Sequence, residues 1–178
     1  GFIRCYEPYG KIKKTALYQL TDFYSLFYFH FIQKNRYRDE HFWTHSLGSA
    51  LYRAWSGYAF EMLCLSHIYQ IKKALGISGV QSLVSSWRSA SSDKGAQIDL
   101  VIDRNDNTVN LCEIKFYNQP FTITKAYYDN LLTKENDFLE ETKTRKSIMT
   151  TFITTYGLVR NEYSSHVQCE ITLEDLFN

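Results

Sequence analysis

Three acidic side chains and one lysine have the types and the spacing that suit a cation-dependent reaction. Asp99 and Glu113 fall in two neighbouring extended segments, and Lys115 lies two residues after Glu113, on the same face of its strand. Glu61 is a third acid, on a preceding helix, and it reaches the same cluster if that helix packs across the sheet. Carboxylates placed side by side are costly unless a cation neutralises them. Oxygen ligands with open positions suit Mg²⁺ or Mn²⁺ rather than zinc.

The turn between the two strands decides whether Asp99 faces Glu113. The run Arg-Asn-Asp-Asn at 104–107 is a strong hairpin signal. A three-residue loop at 105–107 sets Asp99 directly opposite Glu113, because facing residues of a hairpin have a constant sum of residue numbers. A two-residue turn sends the two carboxylates to opposite faces of the sheet. Use of this pair therefore requires the odd loop or a bulge.

Alternation along these strands predicts which side chains share a face. Ile98, Leu100 and Ile102 form the main apolar stripe, so we expect Asp99 on the opposite face. On the partner strand, one face holds Leu111, Glu113 and Lys115, and the other holds Cys112, Ile114 and Phe116.

The surrounding pattern predicts an α/β domain. A helix starts at Ser56 and carries apolar residues at helical spacing through Leu75, and Gly76 closes it. Thr124 caps a second helix that runs to about Thr142. Extended segments are expected at 82–89, 97–103, 108–117, 147–156 and 166–172, with a last helical turn at 173–177. The resulting order is αβββαβ with a terminal strand.

The first 45 residues have a different character. Short strands are expected at 2–6 and 16–20, joined by a basic, turn-rich connection at 8–11. Thr21 or Asp22 then caps a helix through Phe31, so dense in apolar residues that most of its faces need a cover. Nearly half of the 14 Tyr, 12 Phe and 3 Trp fall in this first quarter, and the chain begins Gly-Phe-Ile without Met. We therefore expect a longer parent protein with an upstream part.

Three motifs in this setting resemble a known superfamily. Gly57-Tyr58-Ala59-Phe60-Glu61, Gly95-Ala96-Gln97-Ile98-Asp99 and Glu113-Ile114-Lys115 are similar to the motifs of PD-(D/E)xK nucleases. The closer resemblance is to the nuclease-like C-terminal module of bacterial and archaeal AAA-type ATPases, a family of largely unknown function. It covers about Ser46 to Phe177, and the hairpin and helix before it resemble the end of a winged helix. The resemblance implies domains at 1–45 and 46–178, and a restriction-endonuclease-like core with a mixed central sheet.

The resemblance also implies a role for each residue of the cluster. Glu61 is the helix acid, Asp99 the central metal ligand, Glu113 the second ligand and Lys115 the catalytic lysine. The implied reaction is hydrolysis of a DNA phosphodiester with Mg²⁺ or Mn²⁺, and the implied partner is an upstream ATPase domain. Supporting polar positions are Gln97, Lys125 and Tyr127. Basic residues placed to contact nucleic acid are Arg88, Lys94, Lys11, Lys13 and Lys14.

A second interpretation of the cluster stays open. The same side chains can form a buried ion-pair network inherited from an active ancestor, with Lys115 paired to Glu113 and Asp99. The chain is then a catalytically silent module that binds nucleic acid or protein and couples the ATPase to a partner. Basic residues around the cluster favour nucleic acid, whereas an exposed aromatic patch beside a neutral surface favours protein.

Composition excludes several classes of protein. The 20 Lys and Arg nearly balance 19 Asp and Glu, and the net charge of +1 argues against indiscriminate nucleic-acid binding. Four widely spaced cysteines favour buried free thiols in a reducing cytoplasm over a disulfide framework or an iron–sulfur site. The longest apolar run, 23–32, is too short to span a membrane. No GxxxxGK[ST] motif occurs, so this chain carries no P-loop nucleotide site.

Two weaker patterns have simpler interpretations. His41 and His45 lie one helical turn apart and could share a metal, but no third ligand is evident nearby, so an aromatic boundary segment is the alternative. Glu141-Thr142-Lys143 also fits (D/E)xK, yet it falls in a charged helix, where solvated surface is expected.

Overall fold

The computed structural model describes residues 2–6, 8–10, 17–35, 39–90 and 96–178. Its architecture is mixed α/β, with a five-stranded sheet between two helical layers and a separate two-stranded hairpin before it. The hairpin pairs strand β1 (Ile3–Tyr6) with strand β2 (Leu17–Leu20), antiparallel, with Ile3 opposite Leu20. The predicted hairpin is therefore confirmed.

The aromatic helix after the hairpin is far less covered than expected. Asp22 caps it, because its carboxylate accepts a 2.8 Å hydrogen bond from the Ser25 N–H. Helix α1 (Phe23–Phe27) continues as a π-helical turn at Tyr28–Ile32, and Phe31 is the one residue of these two segments that is buried. The exposed apolar side chains here are Phe23, Tyr24, Tyr28, Phe29 and Ile32. Among the described residues the expectation of a mostly covered helix is wrong, because Phe27 and Phe31 pack on Trp43 and Trp55 while the opposite side stays exposed.

The helix before the central sheet begins earlier than predicted and is interrupted. After the short helix α2 (Phe42–Ser46), helix α3 spans Ala50–Ser66 with Ser49 as its N-cap, and helix α4 spans Ile68–Ala74. The prediction of one helix starting at Ser56 is therefore wrong, because Ser49 supplies a cap upstream and Ser56 lies buried inside α3. The break falls at His67, whose Nδ1 contacts the carbonyl oxygen four residues earlier at 2.8 Å.

The central sheet has both strand orientations. Its strands are β3 (Ser82–Arg88), β4 (Gln97–Arg104), β5 (Thr108–Lys115), β6 (Ser147–Thr154) and β7 (Cys169–Thr172), in this spatial order. β3, β4 and β5 pair antiparallel, whereas β5, β6 and β7 pair parallel. Each strand begins and ends within three residues of its predicted segment, and the predicted last helical turn is present at Glu174–Leu176.

Helices cover both faces of the sheet. Helix α5 (Lys125–Thr142) supplies the crossover that the parallel pair β5 and β6 requires, and Thr124 caps it as predicted. On the α5 side of the sheet, Phe138 packs with Trp87 and Val109. On the opposite side, Phe60 of α3 packs in a separate apolar cluster. None of the described helices is both long enough and apolar enough to cross a membrane.

The segment between the hairpin strands contacts the edge of the central sheet. Pro8 forms an isolated parallel bridge with Ser86, and the Tyr9 N–H donates to the Ser86 carbonyl at 2.8 Å. The Tyr9 ring also packs on Phe138, with 5.0 Å between ring centroids. These contacts pair part of the outer edge of β3, which would otherwise present free backbone groups.

The four cysteines are free thiols, as the sequence predicts. Cys64 and Cys112 are buried and Cys169 is half-buried, but Cys5 is exposed because it lies on the hairpin outside the core. Burial raises the pKa of the Cys64 thiol to about 12 and also raises the pKa of Cys112. Buried thiols with raised pKa values are poor nucleophiles at neutral pH.

Candidate functional site

The hairpin of β4 and β5 has the register that brings the two central carboxylates together. Its paired residues run from Leu100 opposite Cys112 to Asp103 opposite Val109, which is the register of a three-residue loop. Asn107 closes this loop in the left-handed region at φ +61°. The odd loop that joint use of Asp99 and Glu113 requires is therefore present, and the β4–β5 ladder ends one residue before this pair.

A bulge gives Asp99 its position. On the β3 side, Val101 pairs with Ser85 and Ile98 pairs with Trp87, so Asp99 and Leu100 together stand opposite a single β3 residue. Ile98 therefore packs on the α5 side with Val101, and the predicted stripe of Ile98, Leu100 and Ile102 is wrong at its first member. Bulges shift a side chain relative to strict alternation. The neighbouring Ile114 N–H favours the ionised form of the Asp99 carboxyl, but burial and the Glu113 charge outweigh it and raise the Asp99 pKa.

Glu113 is the most heavily bonded residue of the cluster. Its side chain is 5% exposed, and both of its oxygens are engaged. Lys115 Nζ lies 2.9 Å from Oε1, and Lys134 Nζ lies 3.1 Å from Oε1 and 2.9 Å from Oε2. The Tyr127 hydroxyl donates to Oε1 at 2.6 Å. One buried carboxylate thus receives two ammonium groups and one phenol.

Lys134 was not among the residues that the sequence motifs pointed to. It lies seven residues after Tyr127 on α5, so the two side chains share one face of the helix. Leu131 and Phe138 lie on the same face and are buried, which shows that this face meets the sheet. A lysine within the apolar stripe of an otherwise charged helix is the signal that could have identified it.

Asp99 and Glu61 are half-buried acids whose pKa values are raised. Burial raises the pKa of Glu61 to about 7, with a further contribution from the Asp99 charge. Burial and the nearby Glu113 charge likewise raise the pKa of Asp99. Within the described part of the chain, neither residue takes part in an ion pair. The helix acid therefore lies close enough to the strand acids to feel their charge.

The environment of Glu113 lowers the pKa of its carboxyl instead of raising it. Burial alone would raise its pKa, but the ammonium groups of Lys115 and Lys134 and the Tyr127 hydrogen bond hold it below the usual range. Burial and the adjacent Glu113 carboxylate raise the pKa of Tyr127, so its phenol stays protonated and acts as a donor. Glu113 is thus the one acid of the three whose surroundings favour the charged form.

The cluster has the donor chemistry of a Mg²⁺ or Mn²⁺ site, because all three acids offer oxygen. Glu61 and Asp99 suit such an ion, since both are half-buried and neither forms a direct ion pair with a described residue. Glu113 can bind such an ion only when one of the two lysines moves away from its carboxylate. As arranged, no three His, Cys, Asp or Glu side chains of the described residues are grouped closely enough to hold an ion.

The supporting position Gln97 links the cluster to a surface guanidinium. Arg88 of the edge strand donates to Gln97 Oε1 at 2.8 Å, and the Gln97 amide lies 3.5 Å from Asp99 Oδ1. Lys125 is exposed at the start of α5, and no hydrogen bond or ion pair joins it to a described residue of the cluster. Lys94, Lys11, Lys13 and Lys14 lie outside the described residues.

The second (D/E)xK sequence has a structural task. The Glu141 carboxylate accepts hydrogen bonds from the Ser89 hydroxyl at 2.5 Å and the Ala90 N–H at 3.1 Å. It joins α5 to the end of β3 while remaining exposed, so the expectation of a surface position is confirmed.

The histidine pair, His41 and His45, is not arranged as a metal site among the described residues. His45 Nδ1 contacts Asp39 at 2.8 Å and its side chain is 68% exposed, and the His41 ring lies 6.1 Å from it. Among the residues that the structure describes, these side chains belong to no group able to hold a metal ion.

Comparisons with known proteins give one distant structural neighbour. No family profile matches the chain, and no curated protein matches it. A solved structure titled as that of a protein of unknown function, AF1548, is similar with a TM-score of 0.43 at 14% sequence identity. The similarity covers 64% of this chain and 64% of that one, so this chain spans less than two thirds of its neighbour.

Proposed function

We propose that this chain is a nuclease-like domain of the restriction-endonuclease type that hydrolyses phosphodiester bonds in DNA with Mg²⁺ or Mn²⁺. The observation that carries the proposal is the convergence of Glu61, Asp99, Glu113 and Lys115 from one helix and two adjacent strands. Chance rarely places three acids and a lysine in one half-buried site, and perturbed pKa values concentrate at functional sites. In the same proposal, the domain belongs to a longer AAA-type ATPase.

The ligands proposed for the ion are Asp99 and Glu61, joined by Glu113 once a lysine has moved. A bound divalent ion supplies an activated water and polarises the phosphate. Burial and, after it, the nearby Glu113 charge raise the pKa of Asp99, and a bound cation would offset both effects. Tyr127 fixes the rotamer of Glu113 through its 2.6 Å hydrogen bond.

Lys115 has the position of the group that acts on the phosphate. Its side chain is 34% exposed, so it can meet a substrate while its ammonium lies 2.9 Å from Glu113. The Tyr127 ring lies beneath it, 5.7 Å from Nζ, and limits its motion. From this position Lys115 can orient the attacking water or offset charge that develops on the phosphate oxygens.

DNA is the proposed substrate because of the cation arrangement around the acids. Arg88 and Lys115 present positive charge at the rim of the cluster, and Arg88 is tied to it through Gln97. Guanidinium groups suit the paired oxygens of a phosphate. The overall charge is near zero, so a backbone contact of this local kind accounts for binding better than a general field does.

The test is cleavage of plasmid and oligonucleotide DNA with Mn²⁺ or Mg²⁺. We expect Lys115→Ala and Asp99→Ala each to lower the rate by about 100-fold or more, and Asp129→Asn, an exposed carboxylate of α5, to retain the parent rate. Equal rates in all four proteins, or no cleavage by the parent across metals and substrates, would reject the nuclease proposal.

A second candidate function is a catalytically silent binding module. Two observations favour it: both oxygens of Glu113 are engaged by protein donors, and aromatic side chains of α1 such as Tyr24 and Phe29 are exposed. In this case the cluster is a structural ion-pair network, and the aromatic surface meets a partner. Calorimetry with Mn²⁺ separates the two functions. A nuclease binds Mn²⁺ at a site that the Glu113→Gln variant loses, whereas a silent module shows no such site.

A further inference from the structure

Two lysines on different elements pair with the Glu113 carboxylate: Lys134 from helix α5 and Lys115, the lysine of the sequence motif, from strand β5. Lys134 Nζ lies within 3.1 Å of both carboxylate oxygens, whereas Lys115 contacts Oε1 from the same strand. The side chain of Lys134 is 19% exposed and that of Lys115 is 34% exposed. The motif lysine is therefore the more accessible of the two, and Lys134 is the inner cation.

The charges of the strand pair are balanced without any added ion. Asp99 and Glu113 contribute two carboxylates, and Lys115 and Lys134 contribute two ammonium groups that act on both of them. A divalent ion that reaches Glu113 would stand next to the Lys134 ammonium, at contact distance from the same oxygens. Like charges at this separation in a poorly hydrated site repel strongly, so both cations cannot hold the carboxylate together.

We propose that Lys134 is the resident counter-ion of this site, and that its ammonium and a divalent cation compete for the Glu113 carboxylate. The inference rests on the metal site of the proposed function and adds a mechanism that regulates metal binding there. Glu113 stays neutralised and the core stays intact while metal is absent, and the metal site assembles only when an ion displaces Lys134.

The protein provides a place for the displaced ammonium. A cavity of about 20 Å³ lies between α5 and the sheet, lined in part by Glu113, Lys134, Glu135 and Thr150. It is large enough for about one water molecule. Glu135 borders it with a carboxylate that already accepts hydrogen bonds from Thr150 and, at 2.9 Å, from His166. Lys134 can thus leave Glu113 and remain among polar partners.

The test is calorimetric titration of Mn²⁺ into the parent, Lys134→Met and Lys73→Met. Lys73 is an exposed lysine on α4, on the other side of the sheet, so its replacement removes the same charge at a distance. We expect Lys134→Met to bind Mn²⁺ at least about tenfold more tightly than the parent, because the competing charge is gone. Lys73→Met should stay within about twofold of the parent.

Further variants secure the assignment to Glu113. Adding Glu113→Gln to Lys134→Met should abolish the gain in affinity, and Lys134→Arg, which keeps the charge, should show none. Lys134→Gln keeps a donor to Glu113 and carries the same expectation if the Met variant fails to fold, as judged by near-ultraviolet circular dichroism. Equal Mn²⁺ affinity in the parent and Lys134→Met, or no Mn²⁺ binding by either replacement, overturns the inference.

The outcome is separable from that of the nuclease proposal. Tight Mn²⁺ binding by Lys134→Met without DNA cleavage by either that variant or the parent, at Mn²⁺ concentrations that saturate the variant, supports the counter-ion role and rejects catalysis. Cleavage by the parent with unchanged affinity in Lys134→Met supports catalysis and rejects the counter-ion role.

Discussion

The Tyr127 hydroxyl donates a 2.6 Å hydrogen bond to Oε1 of Glu113, and this bond joins the first turn of α5 to the middle strand of the sheet. The acceptor is a charged, buried carboxylate, and hydrogen bonds to charged groups contribute more to stability than neutral ones do. The bond also gives Glu113 a fixed orientation toward Lys115 and Lys134.

Removal of this hydroxyl should destabilise the protein. We expect Tyr127→Phe to lower the free energy of unfolding by about 1.5 to 3 kcal/mol, the usual range for a hydrogen bond to a charged group. Tyr128→Phe is the matched control, since the Tyr128 ring packs at a tilt against Tyr163 while its hydroxyl makes no hydrogen bond to a described residue. Urea unfolding measures both. Equal losses in the two variants would show that the Glu113 bond contributes nothing specific.

Glu61 should make stability depend on pH. Burial raises its pKa from 4.5 to about 7 in the folded protein, so the folded state holds a proton that the unfolded chain has lost in this range. Stability therefore falls as pH rises from about 4.5 to 7, and the full cost is present above pH 7. Relative to the parent, Glu61→Gln should gain about 1 to 2 kcal/mol at pH 8, less than the full shift implies because solvent screens this half-buried group, and little of this at pH 4.5. Urea unfolding at both pH values measures the difference, and a gain that is the same at both contradicts the assignment.

The loop that sets the register depends on a left-handed residue. Asn107 has φ +61°, a conformation that costs most residues about 1 to 2 kcal/mol and glycine nothing. We expect Asn107→Val to lower stability by about that amount and Asn107→Gly to leave it unchanged or slightly higher. Thermal unfolding compares them. If valine is as stable as glycine, the loop does not require this conformation.

A second turn has no room for a side chain. Gly157 has φ +82°, and a Cβ there would lie 2.7 Å from Glu170 Oε1, which accepts a 2.7 Å hydrogen bond from the Leu158 N–H. Gly157→Ala should therefore cost about 2 kcal/mol or more, since strain and a broken hydrogen bond add. Gly79→Ala meets open space without a positive φ and should stay within about 0.5 kcal/mol of the parent. Chemical denaturation of both variants tests this contrast.

Local signals in the sequence predict much of the fold. Thr124 as an N-cap, the strand segments and the three-residue loop at 105–107 all depend on residues within a few positions of one another. Ser49 shows where such reasoning fails, because it and Ser56 both suit an N-cap and only packing decides between them. The exposed side of α1 is a similar case, since periodicity shows that a helix is apolar but not that another surface covers it.

The sequence by itself determined the four residues of the candidate site, because their types and their motifs are local properties. Only the tertiary structure decided how these residues are neutralised. The bulge beside Asp99 depends on pairing with β3, and Lys134 reaches Glu113 only because the crossover helix α5 lays its inner face on the sheet. Contacts of this kind join residues far apart in the chain, and their distance is set by packing rather than by spacing along the sequence.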